Sequence, residues 1–158
     1  MRVFIENEAG SRRKNIYDER SLTYLRTVEV SRPYPFPYGF VVGTRSEDGG
    51  CIDCFVLTSS AILSGSTVEC DPIGLLELID TGETDHKVLA VRQGEPFVLD
   101  DTVLTTLKQF ISGVFAHVPD KRMQIGRLLS QQEADAYVRG SCQNDATNPP
   151  LDLPFPGY

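Results

Sequence analysis

Ile73-Gly-Leu-Leu-Glu-Leu-Ile-Asp80-Thr-Gly-Glu-Thr-Asp85-His-Lys87-Val-Leu-Ala-Val91 is the stretch on which the reading of this chain turns. Two apolar runs, Ile73–Asp80 and His86–Val91, flank a four-residue polar loop with a glycine in it, so the segment reads as a β-hairpin. Asp80 and Asp85 stand at the two ends of that loop, and cross-strand neighbours lie about 5 Å apart. Like charges that close repel unless a cation lies between them. Taken alone, the loop is read more plainly as two solvated turn carboxylates. His86 alternates with Asp85 to the other face of a strand and reads as structural.

Working outward, the two-thirds of the chain before Asp100 has the same texture. Val3–Glu6, Leu22–Val30, Gly39–Gly43, Ile52–Leu57 and Thr67–Cys70 are short runs rich in Val, Ile, Leu and Phe, separated by Gly, Pro, Asp and Ser. Strand after strand without intervening helices points to a barrel or a sandwich. Helix enters late. Asp100 or Asp101 can cap a segment reaching about Ala116, with Leu104, Leu107, Ile111 and Val114 on one stripe and Pro119 as a stop; His117 falls at its end, where the helix dipole favours an imidazolium. Ser130 and Glu133 form a capping box for a shorter helix ending at Gly140. The class is therefore mainly β with C-terminal helices (α+β), as one domain over residues 1–142, followed by a proline-rich extended tail over 143–158.

A chain of 158 residues buries a core without disulfides or structural metal. Its net charge of −7 repels nucleic acid and anionic membrane, so neither is an expected partner, and it would repel phosphates unless Lys, Arg or bound metal intervene. No apolar run has the length of a membrane span, and the start MRVFIENEAG has no signal-peptide core. Four cysteines without an export signal imply reduced thiols in the cytoplasm. Cys51 and Cys54 make a C-x-x-C, but residues three apart on a strand point to opposite faces, and no second pair completes a zinc site. They read as structural thiols.

A second acidic pair raises the standing of the first. Asp48 lies in the Gly-rich turn Glu47-Asp-Gly-Gly50, and Asp53 sits inside the apolar strand Ile52-Asp-Cys-Phe-Val56. An ionised carboxylate among such neighbours is costly unless paired or metal-bound.

Four stretches in order then resemble the family I soluble inorganic pyrophosphatases: Ile5-Glu6 with Gly10-Ser-Arg-Arg-Lys14; Tyr34-Pro-Phe-Pro-Tyr38-Gly-Phe40; Glu47-Asp-Gly49 with Asp53; and the Asp80–Lys87 hairpin. The resemblance implies a five-stranded OB-like barrel with packed helices, a homo-oligomer, and Mg²⁺ (with Mn²⁺ as an alternative) held by Asp carboxylates. It also implies cleavage of pyrophosphate by in-line attack of a metal-bound hydroxide. By position it assigns Asp48, Asp53, Asp80 and Asp85 to metal, with Glu6 as a weaker further ligand. Lys14, Arg26, Tyr34 and Lys87 fall to phosphate, and Tyr38 lies nearest the chemistry. Such ligands suit the metal: Mg²⁺ prefers hard oxygens and keeps several waters.

The chain also departs from that pattern. The family base position in the Asp48–Asp53 loop is Gly50, an acidic position after Asp80 is Thr81, another is Ile16, and a Tyr-Lys phosphate grip falls on Val114-Phe115. Lys121 and Arg122 follow closely as replacement grips, although a solvated basic turn is the plainer reading. Losing a general base costs about 10²–10⁴-fold in rate. Three functions are thus open: a pyrophosphatase with an altered site, a hydrolase for another phosphate or diphosphate compound, or a non-catalytic binder of phosphate and metal.

Overall fold

One long strand organises the molecule. The computed structural model describes residues 1–142, so the tail expected over 143–158 lies outside the described residues. The strands are β1 (Arg2–Asn7), β2 (Arg13–Tyr17), β3 (Tyr24–Glu29), β4 (Tyr38–Val41), β5 (Asp53–Val56), β6 (Thr67–Asp80), β7 (Glu83–Thr84), β8 (Lys87–Arg92) and β9 (Met123–Leu129). The helices are α1 (Asp101–Gly113) and α2 (Gln131–Gly140). The two strands expected over Thr67–Cys70 and Ile73–Asp80 are one, β6. Pro72, which looked like a break, is absorbed by an irregularity of register between Pro72 and Gly74, a place where a missing N–H costs little.

Because β6 is long, it pairs with β1 at one end and with β8 in its middle, while β1, β4, β5 and β8 pair in that order. The circuit β1-β4-β5-β8-β6-β1 closes on itself, which is the expected five-stranded OB-like barrel. Its far end carries β7 and β9, and β2 and β3 form a separate hairpin. Neither β2 nor β9 was expected. β9 is Gly-containing and half-exposed, and it alternates only over Met123–Gly126.

Alternation on the other strands sorts the two sides of the barrel wall. Val3, Ile5, Val41, Cys54, Val56, Leu75, Val88 and Ala90 form one buried cluster, which Ala134 and Val138 of α2 join. Tyr38, Phe55, Leu57, Leu76, Leu78 and Leu89 face the opposite way, onto Leu107, Phe110 and Ile111 of α1. Asp100 caps α1 by accepting from the Val103 N–H, and Ser130 with Glu133 forms the capping box of α2. α1 stops at Gly113 rather than Ala116, because Val114 and the residues after it tighten into turns and the Val114 carbonyl is taken by the Ser31 N–H. Gly39 explains the Tyr-Gly-Phe block: a Cβ there would lie 1.7 Å from the Phe4 carbonyl oxygen of β1.

Candidate active site

The site grows from one register. β5 and β8 run parallel with Asp53 opposite Lys87, so the two side chains emerge side by side on the α1 face of the wall. The Lys87 ammonium donates to Asp53 Oδ2 at 2.6 Å, to Asp85 Oδ2 at 2.9 Å and to Tyr38 Oη at 3.1 Å. Lys87 is buried, and Asp53 and Asp85 are only 21% and 13% exposed. Burial disfavours charge on Asp53, but the Lys87 and Lys14 ammoniums outweigh it and hold its carboxyl below the usual range. Asp85 has less help: burial, with Asp53 beside it, pushes its carboxyl up to about 7 against the pull of Lys87.

Lys14, on β2, is carried over this wall by the β2–β3 hairpin and lies 5.3 Å above the Tyr38 ring. Lys14, Tyr34, Tyr38, Asp85 and Lys87 line a small cavity. Phe110, Val114 and Phe115 add apolar surface to its lining. Burial raises both phenols, so Tyr34 and Tyr38 stay protonated. Glu6, at the end of β1, is raised to about 8, chiefly by burial, with Lys14 opposing and Asp53 and Glu19 adding to the shift.

Asp80 and Asp85 do not face each other across a four-residue loop. Thr81 and Gly82, at φ 50° and 86°, close a two-residue turn that pairs Asp80 with Glu83. Asp80 meets Lys121 at 2.9 Å instead. That corrects the reading of Lys121 as solvated: it is 13% exposed and sits 4.4 Å from the Phe115 ring centroid, because the Arg122 backbone is tied to Thr81. Asp48 is exposed and turned onto its own loop, accepting from the Ser46 hydroxyl and the Gly50 N–H. Arg26 is exposed on β3 opposite Ile16, with no ion pair among the described residues. His86 is structural: its Nδ1 accepts from the Leu78 N–H. The cysteines carry no disulfide among the described residues, and Cys54 belongs to the barrel core.

Sequence reading missed Glu19. It projects from the β2–β3 turn, where the Asp18 carboxylate accepts from the Arg20 and Ser21 N–H groups and Leu22 adopts φ 57°. Its Oε2 accepts from the Cys51 N–H at 2.7 Å. A charged residue in a polar turn carries no pattern of its own, and the hairpin that aims it was itself not foreseen.

As they stand, no three Asp, Glu, His or Cys side chains among the described residues are gathered into a group that could hold a metal ion. The donor set nevertheless fits a hard divalent cation. Asp53 and Asp85 already converge on one cation, the Lys87 ammonium. Beside them is a cradle at Gly50, where the three atoms nearest to a Cβ would be carboxylate oxygens, Asp48 Oδ1 and both of Glu19, at 3.5 Å.

Fold and site together define an OB-like barrel with lysine-bridged carboxylates beside a basic, tyrosine-lined cavity. Comparison with known proteins makes this specific. The family described as inorganic pyrophosphatase matches residues 3–143. An inorganic pyrophosphatase of Nostoc is 35% identical over 84% of this chain and 82% of its own length, and one of Halalkalibacterium halodurans is 34% identical over 89% and 91%. The solved Thermus thermophilus inorganic pyrophosphatase superposes with a TM-score of 0.80 at 26% identity over 89% and 88% of the two chains. That of Helicobacter pylori gives 0.81 at 25% over 89% and 90%. The chain belongs to the inorganic pyrophosphatase family.

Proposed function

We propose that this protein hydrolyses inorganic pyrophosphate to two phosphates with a divalent cation, Mg²⁺ or Mn²⁺. The observation that carries the reading is the Lys87 ammonium clasped by Asp53, Asp85 and Tyr38 at the edge of the cavity. Asp53 and Asp85 would hold the cation, with Glu6 nearby and Asp48 and Asp80 at the margins. When bound, the cation acidifies a water and offsets phosphate charge. Lys14 and Lys87 neutralise the phosphate oxygens. The Tyr38 oxygen accepts from Lys87, which leaves its own proton free to donate into the cavity it lines. Tyr34 backs that ring at 5.3 Å, and Arg26 adds positive charge from β3. A homo-oligomer is part of the same reading and rests on the family resemblance; a cytoplasmic location goes with it and rests on four cysteines that are free thiols.

The apolar wall of Phe110, Val114 and Phe115 favours a second reading, in which the substrate carries an organic group on its phosphate or diphosphate. Phosphate release should be measured with pyrophosphate, nucleotides, sugar diphosphates and phosphomonoesters, each with Mg²⁺, Mn²⁺ or EDTA. The first reading expects pyrophosphate to lead, with release lost in EDTA and in Asp85→Asn. An organic diphosphate leading by a wide margin replaces it with the second. No release from any substrate with either metal sinks both.

A further inference from the structure

Gly50 is unlike the other glycines of its loop. Gly49 beside it needs its left-handed φ of 89°, whereas Gly50 has no such backbone demand. Nor is it forced by a clash, since a Cβ would meet its neighbours only at ordinary contact distance. All three of those neighbours are carboxylate oxygens: Oε1 and Oε2 of Glu19 and Oδ1 of Asp48, each 3.5 Å away. A carboxylate at position 50 would therefore sit against the Glu19 carboxylate. The space is left open at one position and filled by a carboxylate arriving from another.

Glu19 is held there at a cost. It reaches across from a separate hairpin, is part-buried, and has one firm donor, the Cys51 N–H at 2.7 Å. The Asp53 and Asp48 charges act on it, and its charge acts on Glu6; all are of its own sign. It makes no ion pair among the described residues, in contrast with Asp53, Asp80 and Asp85, each of which has a lysine. Asp48 has the Ser46 hydroxyl and the Gly50 N–H, and Asp53 has Lys87, whereas the part-buried Glu19 carboxylate sits among these like charges with the Cys51 N–H as its hydrogen-bond donor, which leaves a demand for positive charge. The lysines that meet the demand around Asp53 and Asp85 leave it standing at Glu19.

We propose that Glu19 is a cation-binding carboxylate of this site, supplying from the β2–β3 turn the charge that position 50 does not carry. This rests on the divalent-cation reading above. It makes Glu19 and a carboxylate at position 50 alternatives: either one serves, and both together repel.

The test is Mn²⁺ binding to the metal-stripped full-length protein, followed by calorimetry and by the loss of the free-Mn²⁺ electron paramagnetic resonance signal. Glu19→Gln keeps an oxygen for the Cys51 N–H and removes only the charge, so a mere loop brace would survive it. The expected result is an affinity weaker by about 10–100-fold. Adding Gly50→Asp to Glu19→Gln should recover most of that affinity, whereas Gly50→Asp alone should not tighten binding. The thermal midpoint of the metal-free Glu19→Gln protein should equal or exceed that of the unsubstituted protein, because a like-charge contact has gone. Should that variant fail to fold, Glu19→Asp, which keeps the charge but loses the reach, is expected to show the same weakening. Unchanged Mn²⁺ affinity in the folded variant overturns the proposal. Phosphate release read on the same preparations separates the two claims. If the unsubstituted protein releases none, the hydrolase reading falls while Mn²⁺ binding still decides Glu19; if it does and Glu19→Gln binds Mn²⁺ normally, only the role of Glu19 falls.

Discussion

Replacing Lys87 by methionine removes the charge and keeps the stem. Two carboxylate oxygens that both reach one nitrogen at 2.6 and 2.9 Å lie within about 5.5 Å of each other, and at an effective dielectric of 20 two unit charges at that separation repel by about 3 kcal/mol. Breaking a buried pair from one side costs about 3–5 kcal/mol, and residual solvent at Asp53 places this site at the lower end. Asp85, raised to about 7 even beside Lys87, takes up a proton in the variant and relieves part of this repulsion, so the expected loss for metal-free Lys87→Met is at most about 3 kcal/mol, still a large part of the stability of a domain this size. The assay is urea unfolding at pH 7.5, with EDTA and with saturating Mn²⁺. Because bound ligand stabilises the folded state by mass action, the cation should restore more stability to the variant than it adds to the unsubstituted protein, in which an ammonium already occupies the clasp. The reasoning is refuted if the variant stays within about 1 kcal/mol of the unsubstituted protein in EDTA, or if Mn²⁺ stabilises both equally.

Three further outcomes follow from the same geometry. The Asp85 carboxyl is raised from 3.8 to about 7 and that of Glu6 from 4.5 to about 8, so the folded chain holds these protons more tightly than the unfolded one; metal-free stability should fall as pH rises from about 4 through 8, and Mn²⁺ should flatten the profile in thermal melts. Gly39→Ala would drive a Cβ to 1.7 Å from the Phe4 carbonyl oxygen, so about 4 kcal/mol or more should be lost and circular dichroism should show no cooperative fold. Lys121→Ala removes an ammonium that lies over Phe115 at the cavity wall and leaves the part-buried Asp80 without its partner; KM for pyrophosphate should rise about tenfold and the melting temperature should also fall, and a lower melting temperature with an unchanged KM would return Lys121 to a structural role beside Asp80.

The barrel was legible where side chains alternate cleanly, as along β5 and β8, and where a cap has its own chemistry, as at Asp100 and at Ser130 with Glu133. It was not legible where tertiary contacts overrode local signals. Pro72 looked like a strand break until the bulge in β6 accommodated it, and β9 alternates only over Met123–Gly126 and buries no residue fully. The same division holds at the site. Asp53 stood out as a charge in an apolar run, and the parallel register that gives it Lys87 required the closed sheet. Asp80 and Asp85 were visible as a pair but are separated by a two-residue turn that the expected loop length concealed. Glu19 and Lys121 sit in polar turns, where a charge is the ordinary occupant; only the folded chain shows that one reaches Gly50 and the other Phe115.

Asp53 and Asp85 are proposed as the cation ligands, with Lys87 serving phosphate. An anomalous-scattering crystal structure of the protein soaked with Mn²⁺ and phosphate tests both halves together. The expected result is a manganese peak at coordination distance from Asp53 and Asp85, with phosphate in the cavity beside Lys14 and Tyr38 and the Lys87 ammonium on its oxygens. Manganese bound elsewhere, with Lys87 still bridging Asp53 and Asp85 and no phosphate beside it, would remove Asp53 and Asp85 as cation ligands and Lys87 as a phosphate group.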